Sequence, residues 1–391
     1  MAIPPLASSS RPIWVAKRTD RPISTVSPAT PALGRIRTTT PRNGASVDPA
    51  RAFTTVSKQI KEAGLLKRSQ LFYFLLLGGL ALALGGVITG FILLGDSWFQ
   101  LLMAGALGII VTQIAFIGHE ASHRQVLSSG PANDRLGRLL ITLGAGMSYQ
   151  WWMTKHTRHH ANPNRIGKDP DIEVDTIAFH PESAASQRGL LAWITRRQGW
   201  LFYPLMAFEG LNLHYHSIRS LTRRGPVEGR WFELSMIALR FAVYLGALFT
   251  FLPLGMAFAF LGVQMGVFGF YLGTAFAVNH IGMPIVPADQ KLDFFAKQVH
   301  TSRNISGGWV VSSIFGGLNY QIEHHLFPNM ARPQLAKARL LVREYCRANN
   351  IRYTEMNMFR ANVHVVRHMH KVGLAARDPF VCHLLAQYRR A

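Results

Sequence analysis

The sequence predicts an all-α integral membrane protein: four transmembrane helices in two hairpins, with a cytoplasmic helical cap. Three observations carry this. Four long runs are almost free of charge, basic residues crowd the segments outside them, and histidines recur at helical spacing near the ends of the runs.

Residues 71–95 (LFYFLLLGGLALALGGVITGFILLG) carry no charge. At about 1.5 Å per residue they can cross a hydrocarbon layer of ~30 Å. Residues 98–117 form a second charge-free run, and only Asp96 and its small neighbours separate the two, so they pair as a hairpin. Residues 234–252 and 255–278 form the second hairpin, joined by Pro253 and Leu254. Arg240 interrupts the third run and either snorkels toward an interface or faces the protein interior. Segments 139–149 and 200–213 are apolar but too short or too interrupted to span, and are expected at the interface or packed on the core.

The chain has 391 residues, 49% of them hydrophobic, and a net charge of +22. Nucleic acid, anionic lipid and an acidic protein are the partner classes for such a charge. The apolar runs favour the last two, and no nucleic acid is expected. The short hairpin connections carry one acid and no base, whereas the N-terminal arm, residues 119–231 and the C-terminal third are dense in Lys and Arg. The positive-inside rule places those three regions on the cytoplasmic side. Residues 1–60 are rich in Pro, Ser, Thr and Arg, which predicts a disordered basic arm. Residues 346–391 read as a basic C-terminal tail. No apolar core of a secretory signal is present. The expected location is a bacterial plasma membrane with both termini cytoplasmic, or an organellar membrane if the arm is a transit peptide. The two cysteines, Cys346 and Cys382, suggest neither a disulfide framework nor a thiolate metal site.

Four histidine groups stand out among the 16 histidines. GHEASH (118–123) holds His119 and His123 at i, i+4, one helix face. KHTRHH (155–160) places His156, His159 and His160 at i, i+3, i+4, and NYQIEHHLFP (319–328) gives Gln321, His324 and His325 the same spacing. His280, in VNHIGMP, ends the fourth run. His180, His214, His216, His364, His368, His370 and His383 are expected as surface or core residues, with His364, His368 and His370 on a solvated helix in the basic tail. Eight grouped histidines exceed one zinc, which takes four ligands, or about three and a water when catalytic. They suit two metals with about four each, and imidazole suits iron. HEASH also matches the H-E-x-x-H signature of zinc proteases. An intramembrane zinc protease would need an aspartate in a later span, and 234–252 and 255–278 hold no acid.

H-x-x-x-H, H-x-x-H-H and Q-x-x-H-H, in this order around four spans, resemble the membrane fatty acid desaturases. GGLNYQIEHHLFP (316–328) is similar to their acyl-lipid and front-end branch, supported by KQVHTSRNIS (297–306). WWMTKHTRHHANPN (151–164), followed by DPDI (169–172), is similar to bacterial, actinobacterial-type acyl desaturases. The resemblance covers roughly residues 70–345 and implies a desaturase domain over 61–345. It implies iron ligands at His119, His123, His156, His159, His160, His324 and His325, with His280 as an additional one. Gln321 is implied as a weak ligand or a hydrogen-bonding group, and Glu120, Asp169, Asp171, His300 and Asn319 as partners of ligating histidines. Trp151 and Trp152 would line a substrate tunnel or anchor at the interface.

The implied cofactor is a pair of iron ions, with O2 as co-substrate, and the implied reaction places a cis double bond in a long fatty acyl chain carried by CoA or lipid. Many relatives carry a fused cytochrome b5 domain with an H-P-G-G haem motif, and none occurs in this sequence. A separate electron donor is therefore expected, either a ferredoxin with its reductase or a free cytochrome b5. The basic face suits an acidic donor. A hydroxylase, an epoxygenase or a sphingolipid desaturase would share the same histidine boxes.

Overall fold

Helix begins inside the segment expected to be disordered. Helix α1 (Pro49–Glu62) buries Ala52, Val56 and Ile60, one i, i+4 stripe, against the histidine-bearing half of the molecule. The arm expectation is thus corrected for 49–60, and residues 1–48 lie outside the described residues, which are 49–173 and 175–375. Replacing Ile60 with alanine should cost about 2–5 kcal/mol, the range for emptying a buried Ile site. The melting temperature of the detergent-solubilised protein checks this, and an unchanged value would mean that α1 does not dock.

Among the described residues, four helices are long and apolar enough to span a membrane: α2 (Gln70–Leu94), α3 (Gln100–Ser122) and, later in the chain, α10 (Arg230–Phe251) and α11 (Leu254–His280). Between the two pairs lie α4 (Gly130–Arg138), a π-helical turn (Leu139–Gly144), α5 (Tyr149–Ala161), α6 (Pro181–Ser186), α7 (Gly189–Thr195), α8 (Gln198–Met206) and α9 (Glu209–Thr222). After α11 come α12 (Phe294–Thr301), β1 (Asn304–Ser306), α13 (Gly308–Ile314), α14 (Gln321–Leu326), α15 (Arg332–Ala348), β2 (Glu355–Asn357) and α16 (Met358–Ala375). The two strands form a short parallel pair, Asn304 opposite Glu355 and Ser306 opposite Asn357. Among the described residues 72% are helix and 2% strand, so this computed structural model is an all-α integral membrane protein, as the sequence predicts.

The spans divide by environment. Helix α2 buries only Tyr73 and Val87, and leaves Leu82 and Leu93 about four-fifths exposed. Such a surface belongs in lipid, where the helix satisfies its own backbone. Helices α3 and α11 form the central pair. They approach so closely that a Cβ on Gly108 would lie 2.8 Å from the Gln264 carbonyl. Gly269 does the same against α9, where a Cβ would meet the Gly210 nitrogen at 2.5 Å. Arg240 faces inward, beside the Tyr244 ring and the Gly146–His214 contact. The apolar segments too short to span are the π-helical turn and α8–α9, packed against α3, α10 and α11.

The tail expectation changes as well. Helix α16 buries Ala361, Val365 and Met369 at i, i+4 and packs on α8. His368 is part-buried and donates to the Phe179 carbonyl (3.0 Å), so it is not a solvated side chain. Cys346 is buried and free, and Cys382 and His383 lie outside the described residues.

Candidate metal centre

All four histidine groups meet at one end of the α3–α11 pair. Nitrogens of His119, His123, His156, His160 and His324 lie within 4.8 Å of one another, and so do those of His159, His280 and His325. The split is five and three, where the sequence suggests about four each. Helical geometry separates the adjacent histidines. Neighbouring residues on a helix point about 100° apart, so His159 and His160 diverge, as do His324 and His325. Each pair therefore feeds both clusters.

The donor set fits metal ions. His156 Nε2 lies 3.1 Å from His119 Nε2 and 2.8 Å from His123 Nε2. Two nitrogens bound at right angles to one ion, each at about 2.1 Å, would sit about 3.0 Å apart. Buried ring nitrogens of His119, His160, His324 and His325 have no hydrogen-bond partner among the described residues. Orphaned buried polar atoms are costly, and a bound cation would satisfy Nε2 of His324 and His325 and one nitrogen of His160. Burial pushes the His123 imidazole down to about 3. Burial, followed by neighbouring imidazoles, lowers His156, His160, His324 and His325. They stay neutral at physiological pH, the form that ligates metal.

The smaller cluster is held from behind. His159 Nδ1 donates to Asp169 Oδ1 (3.0 Å), His280 Nδ1 to the Thr301 carbonyl (3.0 Å), and His325 Nδ1 to Gln298 Oε1 (3.0 Å). Each bond turns an Nε2 lone pair toward the cluster. Fully buried Asp169 also accepts from the Asn164 and Asp171 backbone nitrogens (2.6 and 2.9 Å), so it orients His159 within a rigid loop. Half-exposed Asp171 reaches His159 at 3.2 Å and pairs with Lys155 at 2.9 Å. Burial opposes charge on His159, but without a metal Asp169 and Asp171 outweigh it and hold the group at about 9, so a metal binding at Nε2 would have to displace a proton.

Three expected partners sit elsewhere. Among the described residues no hydrogen bond or ion pair joins Glu120 to a histidine ring. Arg332 Nε donates to its Oε1 (2.8 Å), Arg332 Nη2 to its Oε2, and the Tyr73 hydroxyl to Oε1 (3.1 Å). It clamps α15 to α2 and α3, and it is not placed as a protease's general base. Asn319 donates to the Ile305 carbonyl (3.3 Å). His300 is buried, but no contact among the described residues joins it to either cluster. Gln298 takes the place expected of His300. Residues two apart on a helix point about 200° from each other, so when Gln298 faces the cluster His300 must face away. Gln298, Asn279, Arg332, Tyr73 and Lys155 escape the sequence reading.

An apolar cavity of about 390 Å³ opens beside the clusters, and His119, His156, His159 and His280 form part of its wall. Trp152 stacks on His156 (ring centroids 4.5 Å apart), and Phe116, Leu272 and Phe276 add apolar surface. Trp151 lines the same cavity and stacks on His216 (6.0 Å). At Trp151 and Lys155 the cavity meets a polar surface depression bordered by Arg158, Arg219 and Arg223.

The fatty acid desaturase family model matches residues 96–357, about two-thirds of the sequence and all eight clustered histidines. The chain belongs to the fatty acid desaturase family. Among similar proteins, a Delta(8)-fatty-acid desaturase of Arabidopsis thaliana is 27% identical over 345 residues, 85% of this chain and 76% of that one. An acyl-lipid (9-3)-desaturase of Borago officinalis is 30% identical, covering 71% of this chain and 65% of its own length. A Delta(6)-fatty-acid desaturase of Caenorhabditis elegans is 28% identical over 77% of this chain and 70% of its own. This desaturase is therefore an oxidoreductase of the membrane, and its substrate is a fatty acyl chain.

Proposed function

We propose that this desaturase uses O2 to place a cis double bond in a long acyl chain at a pair of iron ions. The observation that carries the reading is the shared wall: four of the clustered histidines border a largely apolar cavity of about 390 Å³. His119, His123, His156, His160 and His324 would hold one iron, and His159, His280 and His325 the other. When bound, the irons supply the oxidising power that removing hydrogen from unactivated methylenes requires. The balance is one acyl chain, one O2, two electrons and two protons giving one alkene and two waters.

The chain's own residues do the rest. Trp152, Phe116 and Phe276 hold methylenes against the histidine wall and keep water away from them. The polar mouth at Lys155, Arg158 and Arg219 leaves the acyl carrier outside the apolar cavity, which suits a lipid or CoA ester. The name of one relative, the acyl-lipid (9-3)-desaturase, favours an acyl-lipid substrate. The positive charge favours a cytoplasmic face and a separate, acidic electron donor, a ferredoxin or a cytochrome b5. A bacterial plasma membrane suits the composition, and an organellar membrane does if the arm directs import.

The test is expression of the full chain with a ferredoxin and its reductase, followed by mass spectrometry of the host's fatty acids. A new unsaturated acid should form and vanish in His159→Ala. Purified protein holding a single zinc, with an unchanged lipid profile, would overturn the proposal.

A further inference from the structure

We infer that Asn279 locks the Gln321 amide with its NH2 group facing the smaller histidine cluster. Gln321 is then a hydrogen-bond donor to a non-protein ligand of the second metal, and not itself a ligand. This rests on the metal reading proposed above and deepens it.

The two ends of an amide are told apart by their partners. Asn279 is fully buried in the last turn of α11. Its Nδ2 lies 3.0 Å from the Ala275 carbonyl and 3.1 Å from the Leu318 carbonyl. Backbone carbonyls only accept, so the NH2 end must face them. The same Nδ2 lies 3.2 Å from Gln321 Oε1. Turning Gln321 over would set NH2 against NH2 at that distance, two donors with no acceptor between them.

Gln321 Nε2 therefore points at His280 Nε2, 2.9 Å away. His280 spends its Nδ1 proton on the Thr301 carbonyl, so its Nε2 lone pair accepts from the Gln321 amide in this structure; a metal taking that lone pair would release the amide proton to another acceptor. An amide nitrogen cannot compete for that metal, because its own lone pair is delocalised into the carbonyl. It can donate to whatever small ligand completes the metal. The smaller cluster has room for one, with three imidazoles against five in the larger. An open coordination position with a donor beside it is the arrangement of a reactive metal site.

The test needs no turnover. The purified full chain is loaded with cobalt(II) and titrated with azide, read by its visible spectrum. Gln321→Ala should keep two metal equivalents and bind azide about tenfold more weakly, the loss of one hydrogen bond to a charged acceptor. Gln321→Leu, closer in size, should match it, so that a collapse of the alanine variant does not end the comparison. Asn279→Leu, which frees the Gln321 amide, should weaken azide in the same direction. If Gln321 ligates through its oxygen, its removal opens a position. Azide then binds more tightly, or the second metal is lost in both Gln321 variants, and either result overturns the inference. Unchanged azide affinity overturns it as well. Wild-type protein that holds no metal defeats the metal reading instead.

Discussion

Arg332→Met should destabilise the protein by about 3–5 kcal/mol, because it strands the Glu120 carboxylate in the interior with Tyr73 as its one remaining partner. Arg332 and Glu120 are each about 95% buried or more, so water cannot take over the lost bonds. The pair also joins three elements, since the Arg332 backbone nitrogen donates to the Tyr73 hydroxyl (3.1 Å). The double variant Arg332→Met with Glu120→Gln should recover much of the loss, because no charge is left unpaired. Denaturation of the three proteins in one detergent measures this. A single variant no weaker than the double would show that the ion pair is not what holds α15 to α2 and α3.

Asp169→Asn should lower metal retention about 10- to 100-fold, the usual cost of losing a partner behind a ligating histidine. The substitution is nearly isosteric, but it replaces one of two acceptor oxygens with a donor. Asp169 accepts from His159 and from two backbone nitrogens, and an amide cannot serve all three with its single oxygen. Product formation should fall with metal content. Asp171→Asn should do less, because Asp171 is half-exposed and Asp169 still holds His159. Metal analysis after dialysis against a chelator checks both. Equal losses at the two positions would place the anchoring of His159 in charge alone.

The eight clustered histidines are legible in the sequence because their spacing is local. His156, His159 and His160 announce a helix face without help from the rest of the chain, and so do His324 and His325. The separation of His159 from His160 and of His324 from His325 is also implicit in that spacing, through the divergence of adjacent residues on a helix, whereas the count of five and three is not. What is not legible depends on distant partners. Tyr73, Glu120 and Arg332 become one unit only once α15 folds back over α2 and α3, across more than 200 residues of sequence. Gln298 and Asn279 look like ordinary polar residues until α12 and α11 bring them to His325 and Gln321. Helix α1 is a different case. The stripe Ala52, Val56, Ile60 is present in the sequence, but the Pro, Ser, Thr and Arg around it dominate the composition.

The placement of adjacent histidines in opposite clusters makes the two metal positions geared. A small rotation of α14 that draws His324 toward its cluster swings His325 sideways in its own, and α5 couples His160 to His159 in the same way. Neither position can be retuned alone. Substitutions at the two clusters should therefore depart from additivity even where they share no contact.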